Sequence, residues 1–76
     1  MLSETSKSLL SFAIPKQIEL FGLEHVQADG PKTLVDWLME PLEEERDSEF
    51  NRRTMANIRD NRKEAEQYLA GLLGMM

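Results

Sequence analysis

The last third of the chain sets the tightest limit on its fold. Asn51, Met55, Ile58, Arg62, Ala65, Leu69, Leu72 and Met76 follow one another at alternating spacings of four and three. That spacing places all eight on one side of an α-helix, as a seam of heptad type. The seam is polar at its start, interrupted by Arg62, and apolar at its end. An apolar stripe on a helix needs cover, so the preceding segments, or a second copy of the chain, must lie along it.

A chain of 76 residues makes one domain, and its core is marginal. It contains no Cys, so no disulfide and no thiolate metal site adds stability. Small chains without such staples gain buried surface by oligomerising, which points to a homodimer. The absence of Cys fits a reducing compartment. Met1-Leu2-Ser3-Glu4 lacks the basic-then-apolar plan of a signal peptide, and the apolar runs are too short to span a bilayer. The expected location is the cytoplasm, and the expected origin a small bacterial or phage gene.

In chain order, the segment before Pro15 reads as helix from Ser3, an acceptable N-cap, with Leu9, Leu10, Ala13 and Ile14 on one face. Leu10, Phe12 and Ile14 also alternate as a strand would. That strand would need a partner from a second chain, as in ribbon-helix-helix dimers. Pro15 favours a fresh helix start, and Gly22 weakens or ends that second helix. His25, on the stripe with Ile18 and Phe21, reads as a half-buried histidine bonded to backbone. A metal site would need further His or Cys ligands, which the chain lacks.

Gln27 to Pro31 is the clearest loop. Pro31 opens a third helix with Leu34, Leu38 and Leu42 at spacing four, and Trp37 as its bulkiest anchor. Pro41 breaks or bends that helix. Glu43, Glu44 and Glu45 then suit the positive end of a new helix dipole; alternatively, Asp47 or Ser48 caps a separate helix start. The expectation is all-α: three or four helices over about 4–13, 15–26, 31–40 and 42–73. Residues 1–30 form short helices and a loop, and 31–76 a helical hairpin or one kinked helix. A helix over 42–73 would be roughly 45 Å long, which calls for something lying beside it. The expected dimer or partner interface is Trp37, Leu38, Leu42, Met55, Ile58, Leu69, Leu72 and Met76.

Charge is divided along the chain. Asp36 to Glu49 holds seven acids and one base, and Arg52 to Lys63 five bases and one acid. Pairs at helical spacing are present: Glu49 with Arg53, Arg62 with Glu66, and Asp60 with Lys63. The plain reading is a solvated, ion-paired helix. The functional reading makes Glu43, Glu44, Glu45, Arg52, Arg53, Arg59, Arg62 and Lys63 a charged partner patch. The 52–63 stretch resembles arginine-rich RNA-binding helices in composition, and the acidic stretch resembles phosphate mimics. A net charge of −5 disfavours general binding to nucleic acid or membrane surfaces.

Enzyme signatures are missing. The Gly residues are isolated, no nucleophile motif accompanies His25, and EF-hand spacing is absent. The sequence therefore predicts a non-enzymatic module without catalytic, metal or cofactor residues: a small regulator or inhibitor that binds another protein's surface. The alternative is a nucleic-acid-linked regulator.

Overall fold

The computed structural model describes residues 1–74, and within them the chain is all-helical. Four helices follow in order: α1 (Glu4–Phe21), α2 (Leu23–Glu44), α3 (Glu49–Asp60) and α4 (Arg62–Gly74). Each packs on the other three. Residues 10–14 are helical, so the alternating apolar pattern there does not make a strand.

The helix boundaries differ from expectation at Pro15 and Pro41 and agree with it at Pro31. α1 runs through Pro15, and α2 continues past Pro41 to Glu44. Both prolines lie toward solvent, Pro15 on an exposed position and Pro41 likewise. There, water can replace the N–H that each ring removes, so the helix survives the loss. Glycine ends the elements instead. Gly22 takes φ 90° and ψ 151° between α1 and α2, and Gly30 takes φ 83° and ψ 176° within α2. That region of backbone space is open to glycine almost alone. The expected loop at 27–31 is thus a single sharp bend at Gly30, with Pro31 starting the next helical turn.

The expected long helix over 42–73 is two helices. The turn after Glu44 is closed by α3 itself: the Asn51 amide donates to the Glu45 carbonyl, and the Arg52 guanidinium to the carbonyls of Arg46 and Asp47. Ser48 caps α3 by accepting from the Asn51 N–H. Asn61 then breaks the run with φ −123° and ψ 37°, and its side-chain amide donates to the Asn57 carbonyl. The described part of the molecule measures 34 × 24 × 15 Å, too short for a rod of roughly 45 Å.

The core is assembled from all four helices. Leu10, Ala13 and Ile14 from α1, Val26, Leu34 and Val35 from α2, Met55 and Ile58 from α3, and Ala65, Leu69 and Leu73 from α4 are buried together. The seam keeps its phase across the break at Asn61, where Ala65 and Leu69 are buried as the spacing expects, and shifts only at its end, where Leu73 is buried and Leu72 half-buried. The Ser11 and Tyr68 hydroxyls, 2.8 Å apart, link α1 to α4.

Ile58 is fully buried. Ile58→Asp is expected to cost about 4 kcal/mol or more, because a carboxylate there has no partner and no water. Circular dichroism melting checks this; an unchanged transition would show that the seam is wet.

Candidate interaction surfaces

The seam residues proposed from sequence as an interface are used within the chain. Leu38, Leu42, Met55, Ile58 and Leu69 are buried, and Trp37 and Leu72 pack half-buried against the same core. Met76 lies outside the described residues. What α3 and α4 need as cover is supplied by α1 and α2, so the surface open to other molecules lies elsewhere.

The charged residues also divide. Arg62 donates to Asp36 at 2.7 Å and Glu66 at 2.9 Å, and to the Lys32 carbonyl. Its carboxylate partners, Glu66 before Asp36, hold the guanidinium pKa above its usual value. Arg62 thus ties α4 to α2. Arg52 closes the α2–α3 turn, and Arg53 pairs with Glu49 at 2.7 Å while staying largely exposed. Among the described residues, Arg59 and Lys63 have no ion-pair partner, and neither do Glu43, Glu44 and Glu45. The Asp60–Lys63 pair expected from spacing does not form; Asn61 ends the helical register between the two.

His25 is exposed rather than half-buried. It meets the Asp29 carboxylate at 2.9 Å and lies against the Phe21 ring at 5.5 Å. Its partner is a side chain one turn on, not the backbone. No group of three or more His, Asp or Glu among the described residues is placed to hold a metal ion. No helix there is long and apolar enough to cross a membrane.

A strap formed by the first three residues crosses the α3–α4 junction. The Met1 amino group donates to Asn61 Oδ1, the Leu2 N–H to Glu64 Oε2, and the Ser3 N–H to Asn57 Oδ1. Asn57 also donates to the Met1 carbonyl and accepts from the Ser6 hydroxyl. Asn57, Asn61 and Glu64 recur at spacings of four and three, which turns one side of the junction toward the strap. Leu2 is buried beneath it. Beside the strap is a shallow hollow of about 350 Å³, lined by Ser3, Thr5, Phe50, Arg53, Thr54 and Asn57.

Besides Met1 at the start of the strap, large apolar side chains remain at the surface in two places among the described residues. Phe50, at 55 % exposure, stands at the rim of that hollow. Phe12, Leu20, Phe21 and Leu23 lie along α1 and at its Gly22 corner, with Phe12 and Leu20 each more than 60 % exposed. Sequence reasoning placed Phe12 in an alternating pattern and Phe21 on an apolar stripe, and read none of these residues as surface. For Phe12 and Leu20 a signal exists: Phe12, Lys16, Leu20 and Leu23 repeat at four, four and three, a second stripe hidden by the assumption that Pro15 ends the first helix. Phe50 carries no pattern of its own.

No protein-family model matches the chain, and neither the curated proteins nor the solved structures provide a similar sequence or fold.

Asn57→Ala removes one acceptor shared by two donors and one donor of the strap. The expected cost is about 1–3 kcal/mol, read from the urea midpoint, with faster amide exchange at Leu2 and Ser3. Unchanged exchange there would show that the strap holds without Asn57.

Proposed function

We propose that the protein is a non-enzymatic interaction module, a small regulator or inhibitor that acts by occupying another protein's surface. The supporting observation is Phe50, an aromatic ring left more than half exposed on the rim of a hollow. Exposed aromatics beside an arginine are the residue types that anchor protein interfaces. A ring beside a concavity offers a partner both a face to cover and a place to insert. Arg53 extends into solvent next to it and is held by Glu49 in one geometry. The partner that suits this surface brings an apolar side chain to Phe50 and a carboxylate to Arg53.

The hollow is framed by fixed elements. Ser3 belongs to the strap and donates to Asn57 of α3, and the Thr54 hydroxyl is tied to the Phe50 carbonyl at 2.8 Å. A surface that keeps its shape loses less freedom on binding. The nucleic-acid reading has less support, because Arg52 and Arg62 are already drawn onto partners within the chain.

Phe50→Ala and Arg53→Glu are both surface changes, each expected to alter stability by no more than about 0.5 kcal/mol. Comparative affinity capture from the native host, quantified by mass spectrometry, tests the proposal. Retention of a discrete protein by the unaltered chain is expected to fall roughly 30-fold with Phe50→Ala, the scale of an interface anchor. Equal retention by the variants overturns the assignment of this surface. Oligonucleotide binding that weakens steeply with salt would overturn the proposal in favour of direct phosphate contact.

A further inference from the structure

α1 carries two stripes. The inner one, Ser6, Leu10, Ala13, Ile14 and Gln17, is buried against the other helices. The outer one runs through Phe12, Lys16 and Leu20 and reaches Leu23 at the Gly22 corner, and all four are exposed. A helix with apolar residues on both sides is expected to be covered on both sides. Among the described residues only the inner cover is present.

We propose that the outer face of α1 is the contact between two copies of this chain, paired antiparallel about a two-fold axis near residues 17 and 18. The register follows from charge. Lys16 and Glu19 are one turn apart on this exposed face. An antiparallel pairing that sets Lys16 of one copy opposite Glu19 of the other forms that pair twice, since a two-fold contact repeats every interaction. The same register sets Pro15 opposite Leu20 and brings Phe12 toward the other copy's Gly22 corner, where Phe21 and Leu23 are exposed, so apolar residues meet on both sides of the charged centre. A register shifted to place Phe12 against Leu20 sets Lys16 against Lys16, as does a parallel in-register pairing, and like charges there are unfavourable. In the single chain the Lys16 ammonium rests 5.4 Å from the Phe12 ring centre. That contact places the charge beside the apolar face rather than away from it.

The size of the face sets the strength. Eighteen residues of helix span roughly 27 Å, with a width of roughly 10 Å, so the contact buries on the order of 300 Å² per copy, below what a stable pair buries. The dimer is therefore dissociable. This contact is separate from the Phe50 surface, on which it does not depend.

Sedimentation velocity on the full chain, across roughly 10 μM to 1 mM, is expected to show conversion from 8.8 kDa to twice that mass and no further. A chain that stays monomeric throughout overturns the proposal, as does open-ended assembly. Phe12→Asp with Leu20→Asp is expected to weaken the dimer at least 100-fold while helical content and melting persist, since both positions are exposed. A dimer that survives this change uses another face and overturns the proposal. Lys16→Glu and Glu19→Lys are each expected to weaken it about tenfold, and the two together to restore it. Failure of the double exchange to restore it overturns the register. Charge exchange is the sharper test than salt, because each copy carries −5 and screening that repulsion opposes screening the local pairs.

Discussion

The structure depends on burying one side of α3 and α4 with residues of the same chain. Ile58, Ala65 and Leu69 are completely buried, and the residues that cover them come from α1 and α2. A chain this short has little apolar surface to spare. Its core therefore recruits from every helix, and even Leu2, outside any helix, is buried. The turns follow from that need. α3 and α4 change direction at Asn61, and the strap from Met1 to Ser3 bonds to the side chains on either side of the change. The junction and the start of the chain stabilise each other.

How far the sequence could be read depends on which force decides each element. The seam at 51–69 was legible because periodic burial is a property of many residues together. The Glu49–Arg53 and Arg62–Glu66 pairs were legible because helical spacing alone brings them together. The breaks at Gly22 and Gly30 were legible as a helix end and a loop, whereas Pro15, Pro41 and Asn61 were misjudged. Pro15 and Pro41 look like stops, yet each loses only one hydrogen bond, on a side of the helix where water can replace it. Asn61 looks neutral in a helix, yet its side chain competes with the backbone for the Asn57 carbonyl. Whether such a residue breaks a helix is decided by tertiary partners, here the Met1 amino group on Asn61 Oδ1, and no local window contains that information.

The candidate surfaces were harder to read for a related reason. Apolar residues at helical spacing announce burial without saying whose atoms provide it. Leu38, Leu42 and Ile58 carry that signal as strongly as any interface would, and the chain's own helices answer it. Phe12 and Leu20 carry the same signal on the outer side of α1, where the described residues offer no cover. The difference is visible only after the helices are packed. Charge behaves in the same way. Five cations between 52 and 63 suggest a patch, but Arg52 is drawn onto the carbonyls of a turn and Arg62 onto Asp36 and Glu66.

Packing thus separates residues that serve the fold from residues left over, and the leftovers fall on two faces. One is the outer side of α1. The other is the start of α3, where Phe50 and Arg53 border the strap. If the first face joins two copies, symmetry requires that the second be displayed twice. A partner with two matching sites would then be held by both at once, with the second contact made at high effective concentration. Each copy on its own presents only a small contact, and a chain of this size has little room for a larger one. Pairing is the physical route by which a weak surface on a short protein gains occupancy without a larger core.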